Sequence, residues 1–287
     1  MKKSTQNHVR DTLRANRLNT KKRFGQNYLL DDNILRRIIE TADIQSGQPV
    51  IEIGPGLGSL TRYLVEASDK VLAYEIDTDL TEVLSDMFDE NKGFVLKTKD
   101  FLKAHLDDDI KDVFGPVNDV VVVANLPYYI TTPVIMKCLE NSTRLKKLVF
   151  MMQNEVAQRL SAKPNTKAYN ALSVMIQYKT HTQYAFKVPR TVFMPSPDVD
   201  SAVVTMDIIP RKDRPAEDED MFIDFVKRSF KQKRKTLVNN LHAAYELPKE
   251  DLKAFLSYHG YNGNVRAEAL TVEDFLYLSE KVKQDFL

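Results

Sequence analysis

In the stretch Asp119–Tyr129, DVVVVANLPYY, a run of apolar residues ends abruptly at the sequence Asn-Leu-Pro-Tyr-Tyr, which breaks the strand pattern. Four consecutive valines that lead into Ala124 favour a strand buried on both faces, as in the parallel sheet of an α/β domain. In such a sheet, ligands bind beyond the carboxyl ends of the strands. The pattern therefore predicts an α/β fold and places Asn125–Tyr128 in its ligand-binding crevice.

Each residue of this break has a use if the substrate carries an exocyclic amine on a planar ring. The Asn125 side-chain oxygen could accept one amine N–H. Pro127, which has no N–H and a fixed φ, could hold a turn that directs the Leu126 carbonyl toward the second. Tyr128 could stack on the ring, and the nitrogen lone pair would then attack an electrophile without a strong base. The alternative is a plain strand-ending turn.

A second candidate site element is the glycine loop 54–58, GPGLG, which lies between a predicted strand and an amphipathic helix. Glycines allow the backbone to approach a ligand, and a helix N-terminus favours its polar or anionic end. Glu75 ends the next predicted strand at about the spacing expected for a carboxylate that binds ribose hydroxyls. Asp100 follows a third strand and could accept from an adenine amino group, although a helix cap is the alternative. Since Asn125 ends the fourth strand, we expect one shared site.

Further strands are predicted over Lys146–Met152, Tyr178–Val188 and Ser201–Ile209, the last two as an edge of the sheet. Between those two lies the loop Val192–Pro197, in which two prolines make the chain stiff. This loop could present Phe193 to the face of a base opposite Tyr128. Equally, Phe193 could be a core anchor beneath the loop.

Composition and patterning predict four segments. A polar linker with one proline, RKDRPAEDED, separates an α/β part from four short amphipathic helices. The predicted segments are a basic N-terminal arm at 1–24, an α/β domain at 25–210, the linker at 211–220 and a small helical domain at 221–287.

Positive charge is concentrated in two runs, although the formal net charge is only +1. Residues 1–24 hold eight Lys or Arg against one acid, and residues 227–235, KRSFKQKRK, hold six and no acid. Solvated faces are one explanation, but two such runs favour binding to a polyanion with a phosphate backbone. The candidate phosphate contacts are Arg23, Lys231, Lys233, Arg234 and Lys235.

The 287 residues include a single cysteine, Cys138, within an apolar helical stretch, so the chain cannot form an internal disulfide. This usage is typical of a reducing, cytoplasmic setting. No apolar run approaches the length of a membrane span, and no metal-ligand motif is evident. We therefore expect a protein without a membrane partner or a metal.

Dispersed stretches, in the same order along the chain, resemble the bacterial small-subunit (16S) ribosomal RNA adenine N6-dimethyltransferases, the KsgA/RsmA family. The matching stretches are KKRFGQNYLLD at 21–31, VIEIGPGLGSLT at 50–61, YEID at 74–77, ANLPYYITTP at 124–133, VFMPSPDVDSAVV at 192–204, FKQKRKTLVNNL at 230–241 and VRAEALTVEDF at 265–275.

The resemblance implies a Rossmann-like methyltransferase sheet of seven strands in a catalytic domain at 25–210, with a small C-terminal all-α domain at 221–287 that binds RNA or the ribosome. It implies S-adenosyl-L-methionine as the cofactor. It implies cofactor contacts at Asn27, Leu29, Gly54, Glu75, Asp100 and Asn125. The implied partner is 16S rRNA within the small subunit or its precursor, where two adjacent adenosines near the 3′ end are dimethylated during subunit biogenesis. We expect a monomer.

Two alternatives remain open. Related enzymes that methylate 23S rRNA and confer macrolide resistance are similar in the cofactor half, and commonly read Asn-Ile-Pro-Tyr or Asn-Ile-Pro-Phe where this chain has Asn125–Tyr128. The second is a ribosome assembly factor for which methylation is secondary or absent.

Overall fold

The computed structural model describes residues 4–18, 26–213 and 218–287. These residues form two compact units. The first comprises the chain up to Ala157 together with Gln183–Ile208, and the second comprises Gln158–Thr182 together with Ile209–Leu287.

The strands of the described residues belong to two sheets. In chain order they are β1 (Tyr28–Leu29), β2 (Val50–Ile53), β3 (Val71–Glu75), β4 (Phe94–Thr98), β5 (Val120–Asn125), β6 (Leu145–Gln153), β7 (Thr180–Val188), β8 (Phe193–Met194) and β9 (Ser201–Ile208). Seven of them form one sheet in the order β4-β3-β2-β5-β6-β9-β7, and β1 pairs with β8. The predicted seven-strand sheet is confirmed.

Five neighbouring strands of the large sheet, β4, β3, β2, β5 and β6, run parallel to one another. β9 pairs antiparallel with β6. β5 lies between β2 and β6. Its residues Val120–Ala124 are at most 2% exposed, as expected for a β-branched run covered on both faces. This parallel arrangement brings the carboxyl ends of β2 to β5 to one edge of the sheet.

Helices of the first unit lie between and before its strands. They are α1 (Thr5–Ala15), α2 (Asp32–Ala42), α3 (Thr61–Ala67), α4 (Thr78–Phe88), α5 (Leu106–Phe114) and α6 (Thr131–Asn141), and α7 (Asn154–Leu160) begins at its boundary with the second unit. Asp31 caps α2, because its carboxylate accepts from the backbone N–H groups of Asn33 and Ile34 at 2.8 and 3.0 Å.

The segment 1–24, predicted as a basic arm, contains the docked helix α1. Thr5, Val9 and Thr12 are at most 7% exposed and lie on one face of this helix at spacings of four and three residues. The hydroxyl of Thr5 donates to the Asp32 carboxylate at the start of α2. The helix is thus anchored by packing and by a polar contact, while Arg10 and Arg14 on its other side stay exposed.

The second unit is helical. It contains the C-terminal part of α7 and the helices α8 (Ala171–Lys179), α9 (Glu219–Ser229), α10 (Leu237–Tyr245), α11 (Lys249–Tyr258) and α12 (Val272–Phe286). The four helices predicted after the linker correspond to α9 through α12.

The observed division differs from the predicted boundary at 211–220, since Gln158–Thr182 belong to the helical unit. Tyr169 and Tyr178 are buried in the same cluster as Phe222. The hydroxyl of Tyr169 also donates to the backbone oxygen of Leu270 at 2.9 Å. Burial of these large rings therefore draws the segment into the helical core, although the linker lies about thirty residues further along the chain.

Candidate cofactor and substrate site

A cavity of about 350 Å³ lies at the carboxyl ends of β2 to β5 in the first unit. Its lining includes the glycine loop 54–56 and the residues of the turn after β5. All the predicted cofactor contacts line it, namely Asn27, Leu29, Gly54, Glu75, Asp100 and Asn125. The structure thus brings together residues that are up to 98 positions apart in the chain.

The glycine loop turns sharply after β2. Gly54 has a φ of +67°, in the left-handed region that favours glycine, and its N–H donates to the Tyr74 oxygen at 2.9 Å. A Cβ atom on Gly56 would lie 3.2 Å from the Tyr28 ring. The loop therefore needs glycine for its turn at one position and for close packing at the other.

Glu75 is fixed by backbone donors on both carboxylate oxygens. Oε1 accepts from the N–H groups of Ile76 and Asp77 at 2.8 and 2.9 Å, and Oε2 accepts from that of Gly56 at 3.1 Å. The side chain is 6% exposed, and this burial raises its pKa. Because each carboxylate oxygen has about two lone-pair sites, Oε2 can also accept from a hydroxyl of a bound ribose.

Asp100 is a cap, the alternative considered for it, and it also lines the cavity. Oδ1 accepts from the Leu102 N–H at 3.0 Å and caps the short 3-10 turn Phe101–Lys103. The second carboxylate oxygen can serve an adenine amino group, because a cap occupies only one of the two. The capping contact therefore holds the carboxylate in place at the cavity.

The Asn125 amide is oriented by a partner that sequence reasoning did not find. Its Nδ2 donates to the backbone oxygen of Asn27 at 3.1 Å. A carbonyl can only accept, so the amide nitrogen must face Asn27, which leaves Oδ1 as the acceptor for a ligand in the cavity. No sequence signal predicts this contact, which joins β5 to the segment before β1.

The turn after β5 carries the remaining substrate candidates. The Leu126 N–H donates to the Met151 oxygen at 3.1 Å, and Pro127 precedes the 3-10 turn Tyr128–Ile130. Tyr128 is half-buried and lines the cavity. The turn therefore holds Leu126, Pro127 and Tyr128 next to Asn125 in the lining of the cavity.

Phe193 is placed differently from the predicted stacking position. It is 5% exposed, pairs with Leu29 between β8 and β1, and belongs to a buried apolar cluster. The cavity lining does not include it. With its ring surface covered by core residues, Phe193 is the core anchor considered as the alternative, and the stacking role is corrected.

Glu52 is a buried acid at the cavity that the sequence analysis did not single out. It is 1% exposed, and its Oε2 has no hydrogen-bond partner among the described residues. Burial and the nearby Glu75 carboxylate raise the pKa of Glu52 from its ordinary 4.5 to about 8. At neutral pH the side chain therefore carries its proton.

This raised pKa predicts a stability change with pH. Between about pH 4.5 and 8 the unfolded chain loses the Glu52 proton while the folded chain keeps it, so the free energy of unfolding should fall as pH rises. The slope should reach at most about 1.4 kcal/mol per pH unit. Urea unfolding from pH 5 to 8 should show a flatter decline for Glu52→Gln than for the parent. Parallel curves for the parent, Glu52→Gln and the surface control Glu82→Gln would contradict the assignment.

The candidate phosphate contacts of the second unit lie in the loop between α9 and α10, where Lys231, Lys233, Arg234 and Lys235 are all exposed. Asn240, which is 3% exposed, organises this loop. Its Oδ1 accepts from the Gln232 N–H at 3.0 Å, and its Nδ2 donates to the Ser229 oxygen at 2.8 Å. Arg23, the fifth candidate, lies outside the described residues.

The described parts of the chain, residues 4–18, 26–213 and 218–287, hold no candidate for a membrane span or a metal site. None of their helices is long and apolar enough to cross a membrane. They also contain no group of three His, Cys, Asp or Glu side chains arranged to hold a metal ion.

Comparison with known proteins shows similarity along nearly the whole chain. Curated relatives called "Ribosomal RNA small subunit methyltransferase A" include one from Lactococcus lactis subsp. lactis, 44% identical over 95% of this chain and 93% of the relative. Another, from Streptococcus pyogenes serotype M4, is 45% identical over 92% of this chain and 90% of the relative.

Solved structures show the same likeness at lower identity. A dimethyladenosine transferase from Plasmodium falciparum is 28% identical, with a TM-score of 0.73 over 89% of this chain and 97% of that one. The 23S rRNA methyltransferase ErmE is 27% identical, with a TM-score of 0.69 over 90% of this chain and 100% of that one. The family model described as "Ribosomal RNA adenine dimethylase" matches residues 17–284. With a match of that extent, the chain belongs to the ribosomal RNA adenine dimethylase family.

Proposed function

We propose that this protein dimethylates the N6 amines of two adjacent adenosines near the 3′ end of 16S rRNA, in the small ribosomal subunit or its precursor, with S-adenosylmethionine as methyl donor. The observation that carries the proposal is the Asn125 amide, held by the Asn27 carbonyl so that its oxygen serves as an acceptor in the cavity. Relatives with small-subunit names are 44–45% identical, against 27% for ErmE, which favours the small subunit as the target.

The residues at the cavity fit S-adenosylmethionine. Glu75 offers buried carboxylate lone pairs to ribose hydroxyls, Asp100 offers a carboxylate oxygen to an adenine amino group, and the loop at Gly54 lets the backbone approach. When bound, this cofactor supplies a methyl group attached to a positively charged sulfur. The sulfur is a good leaving group because it departs as a neutral thioether. We propose Asn27 and Leu29 as further contacts because both line the same cavity.

The chain's own contribution is to bind, orient and desolvate the target amine. Asn125 and the Leu126 carbonyl would accept its two N–H groups, Pro127 would hold the turn, and Tyr128 would stack on an adenine flipped out of its strand. Such positioning can lower a barrier by about 7–11 kcal/mol. No covalent intermediate with the protein is needed. Cys138 is fully buried, so we do not propose it as a nucleophile.

The exposed loop between α9 and α10 is the proposed phosphate contact. The double variant Arg234→Gln/Lys235→Gln should bind small-subunit particles less tightly at low salt, and its plot of log K against log salt should be shallower by about 1.4–1.8, because fewer counterions are released. The control Lys249→Gln/Lys253→Gln removes two exposed charges from α11 and should keep the parental slope. Equal slopes for all three proteins would place the RNA contact elsewhere.

We also infer that the protein acts as a monomer in the cytoplasm, where ribosomal subunits are assembled. All six predicted cofactor contacts line one cavity of this chain, so the proposed site is complete without a second copy. Light scattering of the purified protein should therefore give the mass of a single chain, 33.0 kDa. A stable dimer would contradict this expectation.

A further inference from the structure

The hydroxyl of Tyr128 lies 2.8 Å from the hydroxyl of Ser201 at the start of β9. A phenylalanine ring would offer a base the same stacking surface, so stacking alone does not explain the phenol oxygen. We propose that Ser201 is a positioning residue that fixes the Tyr128 ring against the target adenine, and that this contact matters most for the second methyl transfer to the same nitrogen. The inference rests on the proposed function.

Ser201 is a rigid anchor. It is fully buried and pairs with Gln153 of β6 in the antiparallel part of the sheet. The neighbouring Asp200 oxygen also accepts from the Asn154 N–H at 3.0 Å, which ties the start of β9 to the start of α7. A hydrogen bond from this point therefore connects the Tyr128 ring directly to the large sheet.

The turn that carries Tyr128 restrains its backbone but not its ring. The Thr131 hydroxyl lies 3.4 Å from the Pro127 oxygen and 3.3 Å from the Tyr128 oxygen, both of which are backbone atoms. Among the hydrogen bonds of the described residues, only the one to Ser201 involves the Tyr128 phenol. Without it, the ring could swing about its side-chain torsions at the cavity.

The two methyl transfers differ in how the amine is held. Before the first transfer, N6 has two N–H groups, for the Asn125 oxygen and the Leu126 carbonyl. After it, one N–H remains, so the base keeps a single hydrogen bond at this position and can pivot about it. The stacking surface of Tyr128 then becomes the main restraint on the orientation of the base. Looseness of this ring should consequently slow the second transfer more than the first.

The test follows both products over time on small subunits that lack the adenine methylation, with nucleosides separated by mass spectrometry. Loss of one hydrogen bond should slow the second transfer about two- to tenfold in Ser201→Ala, with a smaller effect on the first. Monomethyladenosine should accumulate. Tyr128→Phe removes the same hydrogen bond from the other side and should give the same product ratio as Ser201→Ala. It also tests the inference if Ser201→Ala folds poorly. The control Thr205→Val removes a hydroxyl from the same strand, β9, and should resemble the parent.

The double variant Ser201→Ala/Tyr128→Phe separates this role from a general loss of stability. If the serine acts through the phenol, the double variant should match Tyr128→Phe in product ratio. An altered ratio in Tyr128→Phe with a parental ratio in a folded Ser201→Ala would overturn the inference and leave the proposed function standing. Equal slowing of both transfers in the single variants would also overturn it. If Tyr128→Ala transferred both methyl groups at the parental rate, Tyr128 would have no positioning role and the inference would be overturned, while the proposed function would stand. If the parent protein transferred no methyl group to small subunits, the proposed function itself would be wrong.

Discussion

Replacement of Asn125 with alanine should lower the rate of methyl transfer about a hundred- to a thousandfold, the range seen when one preorganised hydrogen-bonding group is removed from an active site. The physical reason is the orientation of the amide by the Asn27 carbonyl, which leaves Oδ1 to accept from the substrate amine. RNA binding should persist, because the basic loop of the second unit is unchanged. The measurement is single-turnover transfer to small subunits at saturating cofactor.

Two further variants sharpen this experiment. Asn125→Asp keeps an acceptor oxygen but presents a second oxygen to the Asn27 carbonyl, so it should also be severely impaired. Asn141→Ala, an exposed asparagine at the end of α6, and Cys138→Ala should retain activity. Near-parental dimethylation by Asn125→Ala, or an inactive but folded Cys138→Ala, would contradict the proposed mechanism.

Replacement of Glu75 with alanine should weaken binding of S-adenosylmethionine about ten- to a hundredfold, which corresponds to roughly 1.5–3 kcal/mol for a hydrogen bond to a charged group. The carboxylate is already aligned by three backbone N–H groups, so little ordering is needed when a ribose binds. Titration calorimetry gives the affinity directly.

Controls are needed because Glu75 also stabilises the glycine loop through Gly56. Circular dichroism and thermal melting should show that the variant is folded before its affinity is interpreted. Glu82→Ala, an exposed acid on the next helix, should bind the cofactor as the parent does. Unchanged affinity in a folded Glu75→Ala would remove Glu75 from the site.

The residues at the strand ends were predictable from sequence because two simple rules act together. Apolar, β-branched runs such as Val120–Ala124 form buried parallel strands, and the carboxyl ends of those strands meet at one edge. Gly54 follows such a strand, and Glu75 and Asn125 end two others. Asp100 follows the partly exposed strand β4, and all four residues line one cavity.

Other features depend on long-range contacts that leave no pattern in the sequence. The stiffness of the loop around Phe193 was predictable, but not the direction of its ring, which is set by the two-residue pairing of β8 with β1. Asn27 and Asn125 are 98 residues apart and meet only in the folded chain. Helix α1 was not predicted from the sequence, because two of its three buried residues, Thr5 and Thr12, are polar and give no apolar periodicity.

The most direct test of the central claim is transfer of labelled methyl groups to isolated small and large ribosomal subunits that lack their adenine methylation, with the modified nucleotides mapped. The account predicts label on small subunits only, as N6-dimethyladenosine at two adjacent positions near the 3′ end of 16S rRNA. Label on 23S rRNA would favour the macrolide-resistance type of enzyme. Tight binding to small subunits with no transfer would favour an assembly factor, and either result would contradict the account.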